Sequence, residues 1–497
     1  MTSRTARLSD WLDRLQRGRA QARRGWLQHG ELDQDWVDGV RRLLSDEGEE
    51  LWVEAQRERA WSPAELRAFE QQRAHLAFRA ELARAAGPLT KLAQHTYALP
   101  FGREQPQALV TGLLGEGSLE GREQRAAALA RATEDLAPRL MEIRARALER
   151  FASLLKTAEP APPDPLLAAI APPPPAAAAP AAEATPAETA EQLLAATDDA
   201  ALELTRWLVR NTGTGRTLHW HVLLRALRAP EYDGLVKPAR RWVCVAQALR
   251  GLGFERDLNA RLRAESAANA LDPRVRVLAL DVPGDIRVVQ SATNFGLASD
   301  VYAAQGAAAG LALALVSPAL PNVLRWPLGA GVADALGVAF MQLRADRGYL
   351  SRLEGLEAPW LERAARHAAI LVLLEARLQA ALVIAEREPA GDENEQARQL
   401  TAALERALCA ELPPGVATLF ACDAPPDSSA FEAVQTGLGM QMALRERFDE
   451  DWYRNPRVAD VLRGAATRAN TLALAVLRQE LNVAANAGSR RLIELLE

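Results

Sequence analysis

The sequence predicts a mainly α-helical protein with one small β-ribbon, and three observations carry that expectation. Alanine, leucine and arginine dominate a chain whose aromatic content is only 5%, and these residue types favour helices over sheets. Two segments, Ser62-Pro63-Ala64-Glu65 and Thr185-Pro186-Ala187-Glu188, carry a complete helix-start signature. Each has a hydroxyl cap, proline at the first helical position and a glutamate placed to reach back to the cap nitrogen. β-branched runs are convincing at one place only. There, Val275 to Leu280 and Ile286 to Val289 flank the turn-type tripeptide Pro283-Gly284-Asp285.

Taken in order, residues 1–156 read as an N-terminal helical lobe. Leu66, Phe69, Leu76 and Leu82 follow the first capping box at helical spacing, and Arg122 to Leu155 is a long Ala/Arg/Glu/Leu stretch. Residues 157–184 shift abruptly to proline and alanine, including Pro172 to Pro175. Such a stretch lacks side chains to bury, so it reads as an extended linker or surface insertion: a passive spacer, or a dock for a proline-binding partner. Residues 185–497 form a second helical domain, with helices through Leu252 and the ribbon at about 275–289. Beyond the ribbon, Ile370, Leu371, Leu374, Leu378, Ala381, Leu382 and Ala385 make a helix-spaced core stripe.

With 497 residues the chain can bury cores for two or three lobes. Its net charge of -5, from 59 basic and 64 acidic side chains, lacks the basic excess of a nucleic-acid binder. Met1 to Leu15 carries charges every few residues, which argues against a signal peptide. The apolar stretch from Tyr302 to Val316 falls about five residues short of a bilayer span and stops at Pro318, so no membrane partner is expected. Cys244, Cys409 and Cys422 lie far apart and read as reduced thiols, pointing to a cytoplasmic protein.

The order of phrases in the second domain is specific. LLRALRAPEYDG (Leu223 to Gly234) is followed by a helix, then DVPGDIRVV, Ser299-Asp300 and the small-residue helix 301–316. VSPALPNVLRWPLGAGVADALGVAFMQLRADRGYL and, from Ala443 to Arg463, ALRERFDEDWYRNPRVADVLR complete the set. This ensemble, over roughly residues 185–465, resembles the thimet oligopeptidase/oligoendopeptidase F family of helical zinc metallopeptidases, in particular its shorter bacterial members. The N-terminal lobe matches only in being helical. The resemblance implies a two-lobed molecule with a deep interlobe cleft, flanked by a ribbon that can pair with an extended peptide. It also implies a zinc helix bearing His-Glu-x-x-His and a further glutamate on the next helix.

Carried over residue by residue, the first histidine falls on Gly306, the base glutamate on Ala307 and the second histidine on Gly310. The third ligand falls near Asp334, the only carboxylate between Val316 and Arg344. One aspartate cannot hold a catalytic zinc, which needs three protein donors, so no metal or other cofactor is expected. Family members also place tyrosines, often with a histidine, on late helices to stabilise the oxyanion. Here no tyrosine occurs between Tyr349 and Tyr453 and no histidine after His367, and DSSAFEAVQTGLGMQM offers Phe431 without a phenol. The expectation is a pseudopeptidase, catalytically inactive, that binds a peptide or protein in the interlobe cleft or acts as a scaffold. An active hydrolase with a non-standard centre and a purely structural helical scaffold are the alternatives. The Gly306/Gly310 spacing places both on one helix face, suited to close packing or to a ligand groove. Restoring both histidines and the glutamate is expected to recover weak metal binding but little turnover.

Other candidates are weaker. His219-Trp220-His221 would put both rings on one face of a strand, but no third donor lies nearby in sequence, so packed or surface histidines are expected. Thr212-Gly-Thr-Gly-Arg216 lacks the Gly-Lys-Ser/Thr ending of a phosphate loop and reads as a plain loop. Glu446, Asp449, Glu450 and Asp451 with Arg445, Arg447 and Arg454 read as a solvated, salt-bridged face. Trp452 and Tyr453 read as helix anchors.

Overall fold

A computed structural model describes the chain except residues 1–3, 30–34, 59–60, 86, 88, 90–95, 101, 116, 135, 157–183, 213–217, 235–237, 268–273, 292–295, 328, 387–391, 423–426, 469–472, 485–486 and 497. Nearly all of the Pro/Ala segment, and Gly213 to Arg216, therefore lie outside the described residues.

The N-terminal third comprises α1 (Arg4–His29), α2 (Asp35–Leu43), α3 (Asp46–Glu58), α4 (Pro63–Leu82), a hairpin of β1 (Tyr97–Leu99) and β2 (Gly102–Glu104), α5 (Pro106–Gly115), α6 (Leu119–Glu134) and α7 (Ala137–Lys156). Helices α8 (Pro186–Asn211), α9 (Trp220–Arg228), α10 (Pro238–Gly251) and α11 (Glu255–Arg261) then lead into β3 (Leu262–Ala267), β4 (Arg276–Asp281) and β5 (Asp285–Ser291). The remainder is α12 (Leu297–Ala314), α13 (Val332–Met341), α14 (Trp360–Ala385), α15 (Glu393–Leu408), α16 (Pro414–Cys422), α17 (Ser429–Phe448), α18 (Pro456–Ala466), α19 (Leu474–Glu480) and α20 (Ala487–Leu496). Both capping boxes form, with the Glu65 and Glu188 carboxylates accepting from the cap N–H groups at 2.8 Å.

The ribbon belongs to a three-stranded sheet in the order β3-β5-β4, with β5 antiparallel to β4 and parallel to β3. The sequence pattern misses β3 because Leu-Arg-Ala-Glu-Ser-Ala has no β-branched residue. Pairing with β5, rather than intrinsic propensity, makes it a strand. Alternation along the strands covers both faces of the sheet. Leu262, Val275, Ile286 and Val288 point to α12, while Ala267, Leu278 and Val289 pack on Leu27 of α1. Arg24 of α1 clamps Glu265 through two hydrogen bonds of 2.8 and 2.9 Å, and Arg287 donates to the same carboxylate at 2.8 Å. Asp13 accepts from the indole of Trp326 at 2.9 Å. The first helix is thus fastened directly to the second half of the chain.

Behind the sheet, α12, α13, α17 and α20 are stacked through glycines. A Cβ on Gly337 of α13 would sit 2.9 Å from the Gln305 carbonyl oxygen of α12. One on Gly437 of α17 would collide with the Ala335 carbonyl and lie 2.7 Å from Val338 Cβ of α13. Gly439 and Gly488 allow the same approach between α17 and the α19–α20 corner, where Ala487 Cβ and the Gln435 carbonyl oxygen would each be 3.0 Å away. Helix α14 runs through the core against α8, α12, α15 and α17. It is long and apolar enough to cross a bilayer, but 78% of that apolar window is buried inside the molecule, which makes it a core helix.

A single guanidinium, fully buried Arg344, lies between the carboxylates of Asp300 on α12 and Glu354 in the turn after Tyr349. Removing one partner from such a group costs about 3–5 kcal/mol, because the remaining charge stays buried. Trp452 and Tyr453 are fully buried beside it and anchor the helices, as the sequence suggested.

The glycine contacts differ in what an added methyl meets. Gly437→Ala faces a backbone carbonyl that cannot rotate away, so it should destabilise by the overpacking range of about 1–3 kcal/mol despite a helix-propensity gain of about 1 kcal/mol. Gly464→Ala, where an added Cβ meets nothing within 4 Å, should be neutral or stabilising. Chemical-denaturation midpoints of the two variants test the ordering.

Candidate functional site

Helix α12 begins where Gly296, at φ 98°, lets the chain pass against the Arg228 carbonyl. From there Tyr302, Gly306 and Gly310 recur every four residues along one face, and that face lies under the sheet. A Cβ at Gly306 would sit 2.9 Å from Val275 Cβ, and one at Gly310 would sit 2.7 Å from Leu262 Cδ1 and 2.9 Å from Val288 Cγ2. The small-residue face is therefore filled by valine and leucine side chains rather than left as a groove. Ala307 is buried in the main core. Asp334 is exposed in the first turn of α13, where its carboxylate accepts from the Gly331 N–H at 2.9 Å and caps the helix.

These residues do not fit a zinc ion. Gly306, Ala307 and Gly310 supply no donor atoms, and Asp334 supplies one carboxylate already engaged in capping. Among the described residues no group of three His, Cys, Asp or Glu side chains is placed to hold a metal. The polar cluster on the stripe is at its N-terminal end. Tyr302 Oη donates to Glu375 of α14 at 3.1 Å, with Arg274 at 3.3 Å and Gln379 at 3.0 Å from the same carboxylate group. Sequence reasoning overlooked Glu375, although a carboxylate inside the apolar α14 pattern signals a buried partner. Phe431 is buried on α17. Tyr349 and Tyr453 pack edge to face at 5.2 Å, and burial pushes both phenols upward.

His219 and His221 lie at the start of α9, not in a strand. Their rings stack with centroids 5.7 Å apart and planes 7° from parallel, so the in-plane nitrogen lone pairs do not converge on one point. His219 Nδ1 is 2.9 Å from Glu411 Oε2. His221 is pushed down to about 4, first by burial and then by the charges of His219 and Arg122.

The structure also brings His75 to two residues remote from it in sequence. Asp427 accepts from the Ser429 hydroxyl and from its N–H at 3.2 Å, while its other oxygen is 3.7 Å from His75 Nε2. Ser429 Oγ in turn accepts from the Ala330 N–H at 3.2 Å. A nucleophilic serine needs its proton directed to a base that a third group orients. Here the aspartate is central and the imidazole is on its far side. The arrangement ties α4, the loop before α13 and the start of α17 together, and no relay is formed.

No family model and no curated protein matches this chain. Solved structures do. PZ peptidase A, determined with an inhibitor, matches with a TM-score of 0.55 at 9% identity, over 93% of this chain and 83% of its own. A Bacillus anthracis str. Ames protein assigned as an oligoendopeptidase F gives 0.54 at 10% identity, over 93% and 82%. Another oligoendopeptidase F assignment gives 0.55 at 11% identity with the same coverage. The chain has the helical oligopeptidase fold. The expected fold class is thus met: mainly α, metallopeptidase-like, with a small sheet.

His367 illustrates how burial has shaped the ionisable groups. It is enclosed in α14 with Nε2 3.1 Å from the Leu227 carbonyl, and burial pushes it down to about 4. The unfolded imidazole titrates near 6.5, so the unfolded chain takes up this proton first. The contribution is complete above about pH 6.5 and declines toward pH 4, at up to about 1.4 kcal/mol per pH unit. His367→Gln keeps an N–H donor without a titrating ring. Its unfolding midpoint should fall less than the parent's between pH 7 and pH 5.

Proposed function

We propose that this chain is a pseudopeptidase, a non-catalytic protein of the oligopeptidase fold that acts by holding an extended peptide or protein segment. The supporting observation is the filled face of α12: where catalysis would require imidazole and carboxylate groups, the sheet supplies Val275, Val288 and Leu262 against bare glycines. The loss of phenols between Tyr349 and Tyr453 supports the same reading from an independent stretch of sequence. Recognition on this reading is by backbone. β4 is an edge strand with no further strand beyond it among the described residues, and an extended segment can add to such an edge through main-chain hydrogen bonds. The protein works in the cytoplasm without a metal or cofactor, and binds neither nucleic acid nor membrane.

The test combines metal analysis, hydrolysis of a peptide library and hydrogen exchange with the same library. The proposal expects less than 0.1 zinc per chain (roughly background for sites lacking three donors), no cleavage, and slowed exchange over residues 275–310. Stoichiometric zinc lost together with peptidase activity on chelation would sink it. Cleavage abolished by alanine at His219 or His221 would favour a hydrolase with its own centre, and an unchanged exchange pattern would favour a plain scaffold. Gly306→His/Ala307→Glu/Gly310→His should now destabilise the protein and gain no tightly held zinc, because the new rings displace the sheet. The packing of the sheet on α12 argues against the weak metal binding expected from spacing alone.

A further inference from the structure

The acidic and basic cluster near Trp452 is more than a solvated face. With the exposed side of α14 and the end of α20, it lines a half-open pocket of about 560 Å³, a size suited to a small molecule rather than a protein segment. Six guanidinium groups line it, from Arg347, Arg352, Arg363, Arg366, Arg445 and Arg491.

Four of the six are paired with carboxylates in place. Arg347 is paired with Glu362 at 2.7 Å, Arg352 with Asp451 at 3.3 Å and Arg445 with Glu450 at 3.4 Å. Asp346 is occupied in capping the next turn through the Tyr349 N–H at 2.8 Å. Glu494 is shared between Arg490 at 3.8 Å and Arg491 at 3.5 Å. Arg363 and Arg366 have no carboxylate within ion-pair distance among the described residues. Each is held by an aromatic face instead: Arg363 lies 5.7 Å from the Trp360 ring centroid, and Arg366 lies 4.5 Å from that of Trp207.

That mode of holding matters chemically. A cation–π contact takes up no carboxylate, so the guanidinium N–H donors remain available for an oxyanion. The two arginines are three residues apart on α14, so their side chains share one face, with Cβ atoms about 5–6 Å apart. Arg491 on the cavity wall has a side chain only 7% exposed. Burial, and then the charge of Arg445, push it down to about 10, against the upward pull of Glu494 and Asp346.

We propose that this cavity binds a small molecule carrying a chain of adjacent phosphate groups. A single carboxylate would compete poorly with the acidic side chains already present. Neighbouring phosphoryl groups can engage Arg363 and Arg366 together, and bidentate guanidinium–phosphate pairing suits both, while Arg491 is already held by Gln342 at 3.2 Å and Glu494 at 3.5 Å. The assignment is independent of the filled α12 face and stands whether or not the chain binds peptides.

Isothermal titration of the full-length protein with sodium triphosphate at low ionic strength tests it, with ATP as a second probe and sodium sulfate as the ionic control. The expected result is saturable triphosphate binding that weakens tenfold or more in Arg363→Gln/Arg366→Gln. Both residues are exposed, so the fold should tolerate the change, and an unchanged unfolding midpoint verifies this. Trp207→Leu, which removes one stacking platform, should weaken binding several-fold. Arg41→Gln, outside the cavity, should leave it unchanged. Equal affinity for triphosphate and ATP identifies the phosphate chain as the recognised group, whereas tighter ATP binding adds a nucleoside contact. No saturable binding at millimolar triphosphate, equal binding by the double variant, or sulfate competing at equal concentration would each overturn the assignment.

Discussion

The second half of this molecule depends on how closely its layers approach. From the sheet through α12, α13, α17 and α20, each interface contains a glycine whose missing Cβ lets a neighbouring side chain or carbonyl occupy the space. Each such glycine costs about 1 kcal/mol of helix propensity relative to alanine. Dense packing offsets that cost, because interiors at crystal-like density lose contacts steeply with any gap. A consequence concerns chemistry. A face close enough for valine methyls to touch helix backbone has no room for imidazole or carboxylate groups, so on α12 tight packing and absent donors have one cause.

Inside that packing, several buried charged groups are held by named partners. Arg377, entirely buried in α14, donates to the Ala407, Leu194 and Arg406 carbonyls, the Thr197 hydroxyl and Asp198, joining α8, α14 and α15. Glu375, two residues earlier, answers to Tyr302 and Arg274. Arg344 answers to Asp300 and Glu354. A hydrophobic helix could rotate or slide with little penalty. These groups oppose that, since a shift of one residue would strand a buried charge. Helix α14 resembles a membrane span by composition, yet its buried charges each have a protein partner, which a lipid environment could not supply.

What could be read in advance was local. The caps at Ser62 and Thr185 need only four consecutive residues, and the Ile370 to Ala385 stripe needs only helical period, so both were legible. The ribbon strands were legible from β-branched runs, whereas β3 was not, because its strand character comes from a partner some twenty residues away. The spacing of Gly306 and Gly310 specified a common face. What covers that face is set by Val275, Val288 and Leu262, contributed by three different strands or their approaches, which no spacing rule reaches. The joining of His75 to Asp427 and Ser429 spans more than three hundred residues and had no local signature. The cluster at Arg445 to Arg454 was legible as salt bridges, but its cavity required α14 and α20 to close around it.

These contrasts indicate where a fold of this kind can change its function. Core positions answer to packing in several directions at once, as Gly437 does to a carbonyl and a valine; replacing a donor there means re-fitting a whole interface. Edges and outer helix faces answer to solvent and to few neighbours. The sheet is covered by α12 on one face and by α1 on the other, so the recognition proposed above would fall to its edge, where main-chain groups can pair with an extended chain whatever its sequence. Arg363 and Arg366 likewise sit on the outer side of an otherwise buried helix, positioned by indole rings rather than by countercharges. A helix fixed internally by Arg377 and Glu375 can thus present cations externally at a constant spacing. The rigidity of this helix holds Arg363 and Arg366 at a fixed spacing, which would lower the ordering cost of the anion binding proposed above.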